Sequence, residues 1–461
     1  MDYEVVVVGG GIGGLTTAAL LAARGVNVCL LERNSRVGGC VANFEHLGYA
    51  FEPSAGLYSG WEPNGIHQRI FSELPAGPPQ VDRLSPSYVV RLPDGIELAV
   101  SDDAHQFESD LRSAFPECAQ AAVAFYQRLN TIRDESEASQ TAASYMTDCS
   151  TRFRRFIDVQ LQTFTQSASE QCRLDLAAPA LTAPHCGMWS IRGGAQALAE
   201  ALAESLKTSG GSLRLNAPVL RLAYGADGLP IGVDLLSGER VTAARAIVSN
   251  LTVWDTYGKL IGLSRTPAPV SAQLRRLQAW GAYLLFLGMD QAASSRLSST
   301  RVLAVNDWQE GQSYSPDSAQ FVFAAASSRD GRAPKDKVAV TVSTFTNSED
   351  WFAFHQDETA HEEQDQATLE SLWSRIHAAI PELGDSVEVI ETATPRTFYE
   401  NTRRKLGMVG RPQSSSEQSS PVGRDTIFPN LFLVGDTASP GLGIEGISQS
   451  ALALANVFTG R

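Results

Sequence analysis

The stretch Val5–Gly14, which reads VVVVGGGIGG, decides the fold. Four consecutive β-branched valines predict a strand that is buried on both faces, as in a parallel sheet. The glycines at positions 9, 11 and 14 then have the Gly-x-Gly-x-x-Gly spacing, and Leu15–Arg24 is typical of a helix. A second apolar strand, Val26–Leu31, ends at Glu32. This order of strand, glycine turn, helix, strand and acid predicts a dinucleotide-binding unit.

Each residue type in this unit has a physical role. Gly9 permits the tight turn, Gly11 lets the backbone approach a pyrophosphate, and Gly14 lets the helix pack on the strand. Amides at the N-terminus of the helix face the phosphates, and the Glu32 carboxylate accepts hydrogen bonds from ribose hydroxyls. An ordinary glycine-rich turn is the alternative, but it does not require an acid at the end of the next strand.

The end of the chain indicates FAD rather than NAD. Asn430–Asp436 is predicted as a strand that ends in Gly-Asp, and its carboxylate can bond a ribityl hydroxyl. The glycine-rich loop Pro440–Gly446 brings backbone N–H groups to the pyrimidine edge of a flavin. A helix from Ile447 to about Phe458 then stabilises negative charge on the reduced flavin through its dipole.

These two motifs together resemble the FAD-binding halves of the amine oxidase and phytoene desaturase superfamily. Further blocks resemble carotenoid desaturases, most of all the cyanobacterial-type 3′,4′-desaturases: Gly39–Gly56, Gly65–Phe71, Phe156–Leu161, Asp330–Pro334 and Thr394–Phe398. Two departures leave the substrate open. Cys40 stands where the family usually has an arginine, and the flavin loop carries Ser439 and Leu442–Ile444 where relatives commonly have a histidine and a more acidic loop.

The resemblance implies a set of positions that contact FAD. Asn216–Val219 heads a strand of the cofactor domain, and the resemblance implies a backbone contact to the adenine near this strand. The complete set is Gly9, Gly11, Ile12, Gly13, Gly14, Glu32, Arg33, Gly38, Gly39, Val219, Gly435, Asp436, Gly443 and Ile444.

The predicted fold class is α/β, with a discontinuous Rossmann-like FAD-binding domain and an inserted α+β substrate domain. The FAD domain takes residues 1–75, 186–255 and 425–461, and the substrate domain takes 76–185 and 256–424. We expect helices from about 104 to 180 and at Ala195–Leu206, and strands at Gln320–Ala325 and Val338–Thr344. The Ser-rich segment Ser414–Ser420 is predicted to be a surface loop.

Composition excludes several classes of protein. Thirty-seven Lys and Arg against 51 Asp and Glu give a net charge of −14, which opposes nucleic-acid binding. The six cysteines include no Cys-x-x-Cys pair and the seven histidines have no metal-like spacing, so we expect no metal site and a reducing compartment. No basic signal region precedes Val5, and the glycine cluster argues against a membrane span. We expect a cytoplasmic protein with at most peripheral membrane contact.

The resemblance implies desaturation of a carotenoid or related polyisoprenoid by hydride transfer to flavin, with a quinone or oxygen as the electron acceptor. A neighbouring proton must also leave, and two residues are candidates for moving it. Glu445 lies in the flavin loop, where burial raises a carboxyl pKa, although capping of the following helix is the alternative. His185 precedes Trp189 and the Gly193-Gly194 loop, and a structural role is its alternative. The oligomeric state is left open.

Other functions on the same fold stay open. One is a flavoenzyme that isomerises or saturates a carotenoid or oxidises an amine, and another is a non-enzymatic isoprenoid-binding chaperone of the kind represented by Rab escort proteins. Phe153–Phe164 has helical spacing of apolar residues beside Arg152–Arg155, and Arg403–Lys405 adds a basic cluster. This helix either packs into the core or a tunnel wall, or lies at a membrane interface. We expect peripheral attachment by it or by another apolar patch.

Overall fold

The computed structural model describes residues 2–132, 139–277, 279–306, 311–353, 357–410, 426–439, 441 and 443–460. The predicted Ser-rich loop 414–420 lies outside the described residues, as do His355, Pro440 and Leu442.

The strands are numbered in chain order. They are β1 (Asp2–Val8), β2 (Val28–Leu31), β3 (Phe44–His46), β4 (Tyr49–Phe51), β5 (Val81–Arg83), β6 (Tyr88–Arg91), β7 (Glu97–Val100), β8 (Trp189–Ile191), β9 (Ser212–Arg214), β10 (Val219–Tyr224), β11 (Pro230–Leu235), β12 (Arg240–Ser249), β13 (Gly281–Asp290), β14 (Arg301–Val305), β15 (Gln320–Ala325), β16 (Lys337–Thr346), β17 (Val387–Ala393) and β18 (Leu431–Leu433).

The helices are numbered in the same way. They are α1 (Ile12–Ala23), α2 (Ile66–Phe71), α3 (Ala104–Ala114), α4 (Ala119–Leu129), α5 (Thr151–Thr165), α6 (Leu174–Cys186), α7 (Ala195–Thr208), α8 (Val253–Asp255), α9 (Ala268–Arg276), α10 (Gln291–Ser294), α11 (Pro316–Ala319), α12 (Ser348–Ala353), α13 (Glu358–Ala379), α14 (Pro395–Thr402) and α15 (Gly443–Thr459), with a π-helical segment at Thr256–Gly262.

The first large sheet carries the glycine motif. Its strand order is β10-β11-β12-β1-β2-β9, with β18 beside β12, and β1 pairs in parallel with both β2 and β12. Val5–Val8 is buried on both faces, which confirms the predicted parallel strand. Helices α1, α7 and α15 pack together over one face through residues such as Leu15, Leu202 and Leu454. The α/β class with a Rossmann-like cofactor domain is confirmed.

Two helices begin closer to the N-terminus of the chain than predicted. Helix α1 begins at Ile12 rather than Leu15, and α15 begins at Gly443 rather than Ile447. Glycine has a low helix propensity, so the sequence pattern placed both glycine-rich turns outside the helices. In the fold Gly13 and Gly14 lie in the first turn of α1, where Gly14 lets the helix approach the Gly9 backbone, and α15 begins at Gly443, which has a φ of +52°.

The second large sheet is almost entirely antiparallel, with strand order β17-β13-β16-β15-β14-β6-β7. Its residues alternate between two faces, as strands require. Leu303 and Val305 pack with helices α3 to α6, while Val302 and Ala304 pack on the opposite face with α13. The predicted strands Gln320–Ala325 and Val338–Thr344 are confirmed as β15 and most of β16.

The strands of the two sheets follow the predicted division of the chain. Every strand of the first sheet falls within 1–75, 186–255 or 425–461, and every strand of the second falls within 76–185 or 256–424. The small sheet formed by β5 and β8 crosses the boundary at 185. The domain limits therefore stay a prediction.

Helix α5 lies inside the substrate-domain core. Phe153 and Phe156 are 0% exposed, Arg152 is paired with Asp94 at 2.6 Å, and Arg155 is paired with Asp158 at 2.9 Å. An interfacial position for this helix is therefore wrong, and the alternative of core packing is confirmed. Among the described residues, no helix is both long and apolar enough to cross a bilayer.

Candidate active site

The glycine turn between β1 and α1 brings the backbone of three segments close together. Gly9 has a φ of +101° and donates its N–H to Leu31 O at 2.9 Å. A Cβ atom on Gly14 would lie 2.2 Å from Gly9 O, so only glycine allows α1 to approach the turn this closely. A Cβ on Gly11 would lie 2.7 Å from the Nδ2 atom of Asn250. These are the contacts that a Gly-x-Gly-x-x-Gly turn requires.

Glu32 is fixed at the end of β2 by two backbone donors. Its Oε2 atom accepts a hydrogen bond from Gly10 N at 2.7 Å, and its Oε1 atom accepts one from Asn34 N at 2.8 Å. The residue is only 5% exposed. Because an ionised carboxylate has about four acceptor positions, Glu32 keeps acceptor capacity for ribose hydroxyls.

A cavity of about 450 Å³ lies along this turn, and we refer to it as the cofactor cavity. Gly14 and Gly443 are absent from the described residues that line it, since Gly14 serves the packing of α1 and Gly443 lines a neighbouring cavity. The other twelve predicted FAD contacts line it: Gly9, Gly11, Ile12, Gly13, Glu32, Arg33, Gly38, Gly39, Val219, Gly435, Asp436 and Ile444.

The chemistry of this lining fits FAD. A Cβ on Gly11, Gly13 or Gly435 would come within 3 Å of the Asn250 side chain, so bare backbone forms the middle of the cavity, as close approach to a pyrophosphate requires. A fixed carboxylate, Glu32, stands at one end for the ribose. Ile444 and Ile447, from the flavin loop and the start of α15, line the same cavity. When bound, FAD supplies the capacity to accept a hydride.

Asp436 has a cation partner that the sequence did not predict. Arg404 Nη2 lies 2.6 Å from Asp436 Oδ2, which also accepts Gly410 N–H at 2.9 Å. Burial alone would raise the pKa of Asp436, but Arg404 and the backbone donors outweigh it and leave that pKa below its ordinary value. Asp436 therefore stays ionised and remains an acceptor for a ribityl hydroxyl.

Arg404 does not belong to an exposed basic cluster, as Arg403–Lys405 was predicted to form. Its Nε atom donates to Met408 O at 2.7 Å, and its guanidinium lies in the cofactor cavity near Cys40 and Asp436. Asn250, at the end of β12, is a second lining residue that sequence analysis missed. In both cases the functional neighbours are distant in sequence, and no local pattern indicates them.

A second, largely apolar cavity of about 210 Å³ adjoins the cofactor cavity. Val41 and Ile444 line both. The apolar cavity is further lined by residues of the 54–59 loop, of α5 and α6, and of the flavin loop: Ser54, Ala55, Gly56, Leu57, Tyr58, Ser59, Thr163, Phe164, Pro179, Ala180, Ala183, Pro184, Met188, Gly443 and Glu445. A substrate in it would lie beside the flavin end of the cofactor.

Glu445 is the one carboxylate among the described residues that line the apolar cavity. Its Oε2 atom accepts a hydrogen bond from Ser59 Oγ, and its Oε1 atom accepts one from Gln449 Nε2 at 3.0 Å. Burial raises the pKa of Glu445, and the nearby Glu62 adds to the increase, while the bonds from Ser59 and Gln449 oppose it. Glu445 also lies in the first turn of α15, as its helix-terminus alternative predicted.

His185 is hydrogen-bonded to a backbone carbonyl and packed against an aromatic ring. Its Nδ1 atom lies 2.7 Å from Ser101 O, so it donates to that carbonyl, and its ring packs 4.3 Å from the Phe107 ring. Burial lowers the pKa of His185. Its neighbours Ala183 and Pro184 line the apolar cavity, but His185 is not among the described lining residues. The structure thus separates the two predicted catalytic candidates.

A buried ionic network supports the wall of the apolar cavity. Glu52 accepts hydrogen bonds from Tyr58 Oη and from Ala195 N, the latter at 2.8 Å, and lies 3.4 Å from Arg332. Arg332 also pairs with Asp330 at 2.7 Å. Burial and the Glu52 charge raise the pKa of Tyr58 well above its ordinary value, so the phenol stays protonated. The network connects the loop after β4, which contains Glu52 and Tyr58, to the segment between β15 and β16 of the second sheet.

Among the described residues, no group of three or more His, Cys, Asp or Glu side chains is arranged to hold a metal ion.

Comparison with known proteins places the chain in a family. The family model of flavin-containing amine oxidoreductases matches residues 12–457. The chain is 25% identical to a prolycopene isomerase of an Oncidium hybrid cultivar, over 99% of this chain and 83% of the relative. It is 23% identical to a lycopene-forming phytoene desaturase of Pseudescherichia vulneris, over 99% of both chains.

A solved structure shows the same fold. An oxidoreductase from Methanosarcina mazei superposes with a TM-score of 0.72 at 17% identity, over 98% of this chain and 99% of that one. The resemblance to the phytoene desaturase and amine oxidase superfamily is thus confirmed, whereas the 3′,4′-desaturase subtype stays a prediction. The chain belongs to the family of flavin-containing amine oxidoreductases and is an FAD-dependent oxidoreductase.

Proposed function

We propose that the protein desaturates a carotenoid or related polyisoprenoid, with a 3′,4′ bond as the specific expectation from its resemblance. The observation that carries the proposal is the junction of the apolar cavity with the cofactor cavity at Val41 and Ile444. An apolar chain needs such a lining, since it offers no groups for polar recognition. The relatives named for prolycopene and lycopene support the same substrate class.

The residues of the apolar cavity have three tasks in this reaction. Side chains such as Leu57, Phe164 and Met188 exclude water and hold the polyene beside the flavin. Loss of a hydride from the substrate leaves a delocalised carbon cation, whose adjacent C–H bond is acidic enough for a weak base. Glu445 takes that proton, and its raised pKa brings it closer to the value that suits proton exchange near neutral pH.

The electron balance requires an acceptor. Glu445 would take the proton that the substrate loses, and FAD, held by residues such as Glu32 and Asp436, would supply the hydride acceptor, with a quinone or oxygen as the final electron acceptor. Glu445 is the proposed catalytic residue. His185 is a positioning candidate only, because its ring packs against Phe107 and its Nδ1 atom is hydrogen-bonded to Ser101 O.

Isomerisation is the second candidate. It is favoured by the likeness to a prolycopene isomerase and by Glu445, because a carboxyl with a raised pKa can both give and take a proton. Saturation and amine oxidation are further outcomes on this fold. The intact glycine turn, Glu32 and Asp436 argue against a chaperone, because a carrier has no need to retain a complete cofactor site.

Product analysis separates these functions. The protein is expressed in a host that makes acyclic carotenoids, and each pigment is analysed by absorption and mass. A desaturase removes two hydrogens per bond and shifts absorption to longer wavelength, an isomerase leaves the mass unchanged, and a saturase adds two hydrogens. An unchanged mass with changed geometry would replace the desaturase by the isomerase. Pigments identical to those of the empty host would contradict both.

A further inference from the structure

One part of this acidic chain has no acidic residues. Asp and Glu make up 51 of 461 residues, about one in nine, yet none occurs between Asp255 and Asp290. The same interval contains four cations that are exposed in the fold: Lys259, Arg265, Arg275 and Arg276. They lie on the π-helical segment Thr256–Gly262, the turn after it and helix α9.

Two further exposed cations adjoin them from another part of the chain. Lys259 Nζ donates to Arg403 O at 3.1 Å. Lys405 Nζ lies 5.8 Å from the centre of the Trp254 ring, and Trp254 Nε1 donates to Leu274 O at 2.9 Å, directly before the two arginines of α9. We call this surface the basic face. Its members are Lys259, Arg265, Arg275, Arg276, Arg403 and Lys405.

Most of this positive charge is uncompensated. Several other exposed arginines of the described chain have carboxylate partners, as in Arg83–Asp102 and Arg240–Asp234. Within the described residues, Arg275 and Arg276 make no ion pair, and Arg265 stacks on the Tyr224 ring at 4.0 Å. Lys259 is the member with an acidic partner, Asp255, at 2.7 Å.

The basic face also presents an apolar side chain. Leu263, at the end of the π-helical segment, is 76% exposed. An acidic helix lies at the edge of the basic face. This helix, α12, packs beside the Lys405–Gly407 turn and carries Glu349 and Asp350. Cations around an exposed leucine match the chemistry of a bilayer surface, where phosphates meet the acyl region.

We propose that the basic face docks the protein on an anionic lipid bilayer, with its cations against headgroup phosphates and Leu263 inserted between them. This surface replaces helix α5, which is buried, as the attachment site. A net charge of −14 opposes anionic surfaces in general, so docking must occur through a local patch in one orientation. Vesicle binding requires no turnover, so this proposal stands or fails independently of the substrate.

Flotation of the FAD-loaded protein tests the proposal. One set of vesicles contains equal parts of phosphatidylcholine and phosphatidylglycerol, and the other contains phosphatidylcholine alone. We expect flotation with the anionic vesicles only, and release by salt, because the screening length falls from about 10 Å at 0.1 M to about 3 Å at 1 M. Equal binding to both vesicles, or no binding to either, would overturn the proposal.

Charge reversal identifies the surface. Arg275→Glu with Arg276→Glu should lower partitioning onto anionic vesicles at least about tenfold, since each basic residue near the surface contributes severalfold. The control is Arg329→Glu with Lys335→Glu, which makes the same charge change at exposed positions between β15 and β16. Flavin content and circular dichroism confirm that both variants are folded.

Two outcomes count against the basic face. Equal loss of flotation in the control would show that net charge alone governs binding. If wild-type protein does not float but self-associates in sedimentation, and the α9 variant does not self-associate, the face binds a second copy of the chain instead.

Discussion

The cofactor cavity and the apolar cavity share Val41 and Ile444, yet they are constructed in different ways. The cofactor cavity is lined by seven glycines and by two carboxylates that follow strands, Glu32 and Asp436, among other residues. The apolar cavity is formed by side chains from the 54–59 loop, from α5 and α6, and from the flavin loop. Cofactor binding is therefore encoded in short motifs, whereas the substrate site is assembled from segments that are distant in sequence.

The carboxylates that line the two cavities have pKa values shifted in opposite directions. Asp436 has a lowered pKa because Arg404 and backbone donors outweigh its burial, while burial leaves Glu445 with a raised pKa. Glu32 is held by two backbone N–H groups. Asp436, which lines the cofactor cavity, is thus kept ionised, and the acid beside the proposed substrate, Glu445, is brought closer to the neutral form.

Glu445→Gln should give the largest effect, because it removes the proposed base and keeps the shape of the side chain. We expect activity on the carotenoid substrate to fall by about 10²–10⁴-fold, with flavin content unchanged. Steady-state rates on the reconstituted enzyme measure this. Glu62→Gln, which removes a neighbouring carboxylate, is the matched control and should retain most activity. Full activity of Glu445→Gln would reduce Glu445 to a helix-terminus residue.

Gly14→Ala should disturb the cofactor cavity through packing. The new Cβ atom would lie 2.2 Å from Gly9 O, a backbone atom that has no freedom to rotate away. Overpacking of this kind costs about 3 kcal/mol of stability, and bound flavin should fall with it. Thermal unfolding and flavin absorbance measure both effects. Gly77→Ala, where no atom lies within 4 Å of the added Cβ, should change neither, and equal behaviour of the two variants would refute the close-packing argument.

Glu32→Ala tests the polar end of the cofactor cavity. It removes charge-assisted hydrogen bonds to the ribose, and FAD affinity should fall by about 1.5–3 kcal/mol. Flavin content after dilution and gel filtration measures the loss. Glu45→Ala removes an exposed carboxylate of β3 and should have no effect. Undiminished flavin in Glu32→Ala would mean that this acid does not contact the ribose.

The pH dependence of stability gives the smallest expected effect and separates the two classes of acid. Because the folded-state pKa of Glu445 is raised, its contribution to stability is present at low pH and is lost as pH rises through that pKa. Asp436 has a lowered pKa, so its contribution is lost as pH falls through its folded pKa. Denaturant unfolding of Glu445→Gln and wild type across pH should show a difference that changes above the ordinary glutamate pKa. A difference that is constant with pH would contradict the raised pKa.

The sequence by itself determined the cofactor half of the molecule. Val5–Val8, the glycine turn and Glu32 form one local β-α-β unit, and their roles follow from spacing within 28 residues of chain. Backbone conformation and short-range packing govern such a unit, so composition and order are enough to predict it. The starts of α1 and α15 were misplaced because helix propensity does not register a glycine that is needed for close approach, as at Gly14, or for a positive φ, as at Gly443.

Only the tertiary structure decided how distant charges and apolar surfaces combine. Arg404 pairs with Asp436 across 32 residues and Arg332 with Glu52 across 280. In the tertiary fold α5 is buried, His185 is hydrogen-bonded to Ser101 O, and the cations of α9 are exposed. The physical reason is that the free energy of an ion pair or a buried side chain depends on which surfaces are in contact. The spacing of residues along the chain does not specify those long-range contacts.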